Sequence, residues 1–166
     1  TLVRAGLQRI LAGSENLEIV GEAANGAQAM ALLEQTPCDV LLLDLSMPGR
    51  SGIDLIVQIK ASFPRLAILV LTMHDEEQYA VRALKAGAAG YMTKESAPSE
   101  LVLAVRKVVA GGVYLSLAMA ERIAQDLASA AGDTPGYRRL SDREFDVFLM
   151  LARGLSVSDI GDTLCV

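Results

Sequence analysis

Val40-Leu41-Leu42-Leu43-Asp44-Leu45-Ser46-Met47-Pro48-Gly49-Arg50-Ser51-Gly52 is the stretch that decides the fold. Four consecutive apolar residues read as a strand buried on both faces, the pattern of a parallel sheet. The strand ends in a carboxylate, Asp44. A turn follows at once: Pro48 fixes φ, and Gly49 and Gly52 take conformations that other residues resist. An acidic residue at the carboxyl end of a buried strand stands where open α/β sheets place ligand chemistry. Taken alone, Asp44 reads more readily as the cap of the next turn, given the Asx-turn habit of aspartate. The rest of the chain decides between the two.

Upstream, Leu2, Val3, Gly6, Leu7, Ile10 and Leu11 recur at helical spacing, so residues 1–12 are read as an amphipathic helix. Residues 17–23 form a short β-type run. Asn25 is placed to cap a helix through Gln35, with Ala29, Leu32 and Leu33 inward. Downstream, Ser51 is read as the cap of a helix whose apolar face is Ile53, Ile56, Val57 and Ile59. Residues 66–71 make a second buried strand, ending at Thr72-Met73-His74. Asp75 caps a helix through Lys85, which Gly87 closes. Residues 89–92 make a short strand ending in Thr93-Lys94, and Pro98 sits in the first turn of a helix running to about Ala110. Strands alternating with helices across short loops define a doubly wound parallel sheet. Gly111-Gly112 ends the alternation. Residues 116–130 are helical and Ala-rich, with ambivalent packing, and residues 131–139 read as a linker.

Three strand ends therefore carry polar groups, Asp44, Thr72 and Lys94, and parallel strands bring those ends to one edge. Aspartate is a nucleophile that can form an acyl phosphate. A hydroxyl and an ammonium beside it hydrogen-bond and neutralise the added oxygens. A divalent ion is expected too, because two anions must approach one another. The trio resembles the receiver domain of bacterial response regulators. The Asp-x-x-Met-Pro-Gly-x-x-Gly run from Asp44 to Gly52, the spacing of Thr72 and Lys94, and Ala86-Gly87-Ala88-Ala89-Gly90-Tyr91 carry the likeness, which covers residues 1–112. The resemblance implies a flavodoxin-like doubly wound sheet. It implies Asp44 as phospho-acceptor, Thr72 as switch hydroxyl and Tyr91 as the aromatic that moves with it. Lys94 would contact the phosphoryl group, and Asp44 and the Ser46 carbonyl would help bind Mg²⁺. The family begins with a strand that ends in an acidic pair holding Mg²⁺. That pair is absent here, so the sheet is expected to have a gap between its second and third strands and the sequence to be trimmed at its amino end.

Leu140-Ser141-Asp142-Arg143-Glu144 opens another helix with a capping-box start, Ser141 and Glu144. Val147, Phe148, Leu151 and Ala152 are its apolar stripe, and Gly154 ends it. Ser156 is read as capping a second helix with Ile160 and Leu164 inward. Helix, glycine turn, helix is helix-turn-helix grammar. The run resembles the LuxR/FixJ-type DNA-binding domain, so the whole chain resembles a NarL/FixJ-type response regulator. The implied division is 1–112 receiver, 113–139 helical linker and 140–166 the amino-terminal part of the helix-turn-helix domain. The recognition helix of that family comes after this point. From Tyr137 to Val166 four arginines stand against five acidic residues, so no basic patch contacts phosphates there.

Composition agrees. The chain is 52% hydrophobic with net charge −5, which supports a substantial core and gives no general attraction to nucleic acid or anionic membrane. No apolar run approaches the roughly 18 residues of a membrane span. Cys38 and Cys165 read as reduced thiols of a cytoplasmic protein rather than a disulfide or metal pair. His74 and Arg50 read as solvated loop residues. Gly21 to Gly26 lacks the Lys and Ser/Thr of a phosphate loop. A haloacid-dehalogenase-type phosphatase needs a second Asp two residues after its nucleophile, where Ser46 stands. The expected function is a two-component response regulator, not an enzyme beyond slow autodephosphorylation. A sensor histidine kinase would phosphorylate it, with dimerisation and, in the full-length protein, DNA binding as the consequence. The competing reading is a receiver-like interaction module that takes no phosphate.

Overall fold

The computed structural model describes residues 2–45, 52–73, 77–129, 141–152, 155 and 157–164. The elements run α1 (Leu2–Ala12), α2 (Gly26–Gln35), β1 (Val40–Asp44), α3 (Gly52–Ser62), β2 (Ala67–Thr72), α4 (Glu77–Lys85), β3 (Gly90–Thr93), α5 (Pro98–Val109), β4 (Tyr114–Leu115), α6 (Leu117–Ser129), α7 (Asp142–Ala152) and α8 (Val157–Leu164). Four strands pair in the order β1-β2-β3-β4, every pair parallel. The turn at Ser46, Met47, Pro48, Gly49, Arg50 and Ser51 lies outside the described residues, as do His74, the Asp75 cap, residues 131–139, Gly154, the Ser156 cap and Cys165.

The apolar residues of the strands alternate between two cores, one on each face of the sheet. Leu43, Ile68, Val70 and Tyr91 join Ile53, Ile56 and Ile59 of α3 and Ala80 and Ala83 of α4. Leu69, Leu71 and Met92 join Leu11 of α1 and Leu101, Ala104, Val105 and Val108 of α5. A sheet covered on both faces is why its strands read as continuous apolar runs. Val57 departs from the expected stripe: it is 52% exposed while Ile56 is fully buried. One helical step of about 100° carries a residue from the core-facing side of α3 to its flank.

Helix ends follow local chemistry. The Asn25 side chain accepts from the Gln28 N–H at 2.9 Å, and the Gln28 side-chain oxygen accepts from the Ala24 N–H. α5 starts at Pro98, whose fixed φ suits a first helical position, with no side-chain cap on Ala97. Gly87 follows α4 at φ +110°, where a Cβ would meet Lys60 Cγ at 2.9 Å. The Lys60 ammonium in turn donates to the Pro64 and Leu66 carbonyls, tying the end of α3 to the approach of β2.

Two strand expectations need correction. Residues 17–23 are not a strand, and Ile19 and Val20 are 38% and 46% exposed. A β-type run becomes a strand only when a neighbour takes its backbone groups, and among the described residues none lies beside β1 on that side. Conversely, the sheet does not stop at Gly111-Gly112. β4 follows, pairing Tyr114 with Gly90 and Leu115 with Tyr91. Gly90 makes that approach possible, since a Cβ there would lie 2.7 Å from Leu69 Cδ1 and 3.1 Å from the Tyr114 carbonyl.

In the carboxy-terminal pair, the Ser141 hydroxyl and N–H both donate to the Glu144 carboxylate, at 2.6 and 2.8 Å. The expected capping box is present. Ile160 is buried as expected, but Phe148 and Leu151 of the anticipated stripe are 43% and 50% exposed. α8 is the described neighbour of α7, and one short helix covers only part of a helix surface. The hydroxyl bond first, and the Ser141 N–H second, hold the Glu144 carboxyl below the usual glutamate range. A depressed carboxyl adds helix stability above the ordinary glutamate pKa and loses it as pH falls through the depressed value. In an NMR titration, Glu144 should therefore protonate at lower pH than an unpaired glutamate, and Ser141→Ala should raise that midpoint.

Candidate functional site

Register brings the predicted residues together. Asp44 ends β1 opposite Leu71, so Thr72, the next residue of β2, stands one step beyond it. Thr72 pairs with Thr93, so Lys94 follows directly after β3. Two backbone bonds continue the ladder past the strand ends: Lys94 N–H to the Thr72 carbonyl at 2.7 Å, and Leu45 N–H to the Leu71 carbonyl at 3.3 Å. Asp44, Thr72 and Lys94 thus occupy three adjacent strand ends at one edge, which is what parallel pairing dictates.

The Lys94 ammonium reaches across to Asp44 Oδ2 at 2.5 Å. The lysine side chain is 9% exposed and the aspartate 35%. A long cationic stem packed into the protein with its head on a half-open carboxylate fixes the head in place. The carboxylate keeps an accessible side. Thr72 is 4% exposed, the buried polar residue of the described core, and Tyr91 is 2% exposed.

Strand parity divides the four residues into two pairs. Asp44 continues the series Val40, Leu42, and Lys94 continues Met92, all on the face under α1 and α5. Thr72 continues Ile68, Val70 on the opposite face, where Tyr91 also packs. The carboxylate and ammonium lie with one layer of helices. The hydroxyl and the aromatic ring lie with α3 and α4. A charge change at Asp44 is thereby one strand away from the packing of α4.

The Ser46 carbonyl, expected as a Mg²⁺ ligand, lies outside the described residues. Among the described residues no group of three or more His, Cys, Asp or Glu is placed to hold a metal. Mg²⁺ takes six oxygens in near-octahedral geometry. Asp44 offers one carboxylate, already engaged by Lys94, so the described residues do not make a Mg²⁺ site by themselves.

Sequence reasoning placed Asp44, Thr72 and Lys94 at one sheet edge, as the register does, but missed what stands behind Tyr91. β4 pairs with β3 at Tyr91 itself, and α6 packs against α4 with Met119 buried in the same core as Tyr91. The signal was present in Val113-Tyr114-Leu115, a β-branched, aromatic and apolar run following two glycines.

Residues 1–106 match the response regulator receiver domain family. The Escherichia coli K12 response regulator UvrY is 36% identical over 163 residues, covering 98% of this chain and 75% of that protein. A LuxR-family two-component response regulator from an Aurantimonas species superposes with TM-score 0.73 at 35% identity, over 77% of this chain and 91% of that one. RcsB from Salmonella enterica serovar Typhimurium, bound to the promoter rprA in the presence of phosphomimetic BeF3−, superposes with TM-score 0.71 at 29% identity, over 98% of this chain and 77% of that one. The chain belongs to the two-component response regulators of the LuxR type, with a flavodoxin-like receiver as its amino-terminal unit.

Proposed function

We propose that Asp44 is the phospho-acceptor of this regulator, with Lys94 and Thr72 as the groups that bind the phosphoryl oxygens. The observation that carries this reading is the Lys94 ammonium on Asp44 Oδ2, beside the Thr72 strand end. The carboxylate oxygen attacks phosphorus, an O–P bond forms, and the donor's bond to phosphorus breaks with the electron pair leaving on the donor. Lys94 neutralises charge at the receiving oxygen throughout. A sensor histidine kinase fits as donor. Mg²⁺ fits the electrostatics of two approaching anions.

The domain reading follows: residues 1–112 as receiver, 113–139 as linker built around α6, and 140–166 as the start of a helix-turn-helix unit that binds DNA in the full-length protein. Among the described residues no helix is long and apolar enough to cross a membrane, and a cytoplasmic location suits a partner of both kinase and DNA. Phosphorylation would act through Thr72. A phosphoryl oxygen one strand away draws the hydroxyl towards it, and Tyr91 follows into the space.

Sedimentation of the full-length protein with and without acetyl phosphate tests this. Wild type should shift towards dimer. Thr72→Ala should still take one phosphoryl group by intact mass yet shift less, by a factor of about 5–150 in association constant. Identical shifts in both proteins would make Thr72 a packing residue.

A further inference from the structure

We propose that the paired hydroxyls of Thr93 and Ser96 position Lys94, which makes Ser96 a positioning residue for phosphoryl uptake at Asp44. This rests on the reading of Asp44 and Lys94 given above. A lysine carries its ammonium on a flexible four-carbon stem, so its aim depends on what fixes the backbone the stem leaves from. Lys94 leaves from a strand end, where the regular ladder stops supplying partners. Its N–H reaches the Thr72 carbonyl at 2.7 Å and so carries the ladder one residue past β3. Beyond that bond the chain must turn into α5, which starts at Pro98.

Two residues close this turn twice. The Ser96 N–H donates to the Thr93 carbonyl at 3.2 Å, and the Thr93 and Ser96 hydroxyls meet at 3.3 Å. Lys94 stands between these two partners in the chain. Thr93 is also fixed from the other side, because it ends β3 in register with Thr72 of β2. One end of the turn is therefore tied to the sheet, and the other end is tied back to Thr93. The lysine between them leaves the backbone in a set direction, with its side chain 9% exposed and its ammonium on Asp44 Oδ2.

The Ser96 hydroxyl is not spent on the helix it precedes. Serine is a preferred helix cap, as Ser116 shows by accepting from the Met119 N–H at the start of α6. The N-cap of α5 is Ala97, and no side chain caps that end. Ser96 instead turns back to the strand. At 3.3 Å the contact is long for two hydroxyls, so it adds little stability. What it supplies is direction. A group that must meet developing charge on a transferring phosphoryl is sensitive to direction, since a misplacement of about 1 Å can cost roughly 100-fold in rate. Loss of one long bond should cost a fraction of that.

Initial rates of phosphoryl uptake from acetyl phosphate and Mg²⁺, read by intact mass on the full-length protein, test the pair. Ser96→Ala should slow uptake about fivefold with the urea unfolding midpoint unchanged. Ser96→Thr, which keeps the hydroxyl, should take up phosphoryl at the wild-type rate. Thr93→Val, which keeps the shape of threonine without its hydroxyl, should be slowed as Ser96→Ala is, and Thr93→Ser should not. Ser96→Ala combined with Thr93→Val should be no slower than either alone, because both remove the same bond. A wild-type rate in Ser96→Ala, equal slowing in Ser96→Thr, single effects that multiply in the double variant, or a urea midpoint that falls with the rate would each overturn the positioning role and leave Asp44 as acceptor. No uptake by wild type, or undiminished uptake by Asp44→Asn, removes the phosphorylation reading itself, and the positioning role with it.

Discussion

Asp44→Asn should reduce phosphoryl uptake from acetyl phosphate to background in the full-length protein. The substitution removes the nucleophile and little else. An asparagine has the same shape, its amide oxygen still accepts from the Lys94 ammonium, and the residue is 35% exposed at a strand end, so the fold has no cause to change. An amide oxygen is far less nucleophilic than a carboxylate and carries no charge for the lysine to steer. Glu95→Gln is the control. It removes a carboxylate next to Lys94 in the chain that is exposed and follows the strand end rather than terminating it. That variant should label as wild type does. Uptake by Asp44→Asn equal to wild type would move the acceptor to another residue.

The largest stability effect should come from α3. Ile56→Ala should cost about 2–5 kcal/mol in urea unfolding, whereas Val57→Ala should stay within about 0.5 kcal/mol. Ile56 has no exposed surface and shares a core with Leu43, Ile68 and Val70. Its truncation leaves a hole bounded by two strands and a helix that cannot close independently. Val57 is half exposed, so its lost methyl groups were already in water. Two adjacent β-branched residues of similar hydropathy thus differ by several kcal/mol in what they contribute.

That contrast shows where reading the chain succeeds and where it stops. The β1 run was legible because four apolar residues capped by an acid allow little else, and register then placed Thr72 and Lys94 without further information. The caps at Asn25 and Ser141 were legible because their partners lie three residues away in the same chain. Val57 was assigned to the core because apolar spacing defines a stripe but not its width. Residues 17–23 have β-type composition and no pairing neighbour, and composition cannot report a neighbour. β4 is two residues long, too short for alternation to register. α6 was recognised as a helix, but its seat depends on Met119 meeting Ala80 and Ala83, contacts more than thirty residues distant in sequence that no local pattern encodes.

An acyl phosphate on the Asp44 side chain is read directly by hydride trapping. Borohydride reduces an aspartyl phosphate to homoserine while leaving free carboxylates unchanged. Full-length protein treated with acetyl phosphate and Mg²⁺, reduced and digested, should yield homoserine at position 44 and at no other aspartate, with none in the sample that saw no donor. Homoserine at a different aspartate, or its absence from a sample whose intact mass shows the phosphoryl group, would contradict the assignment of Asp44.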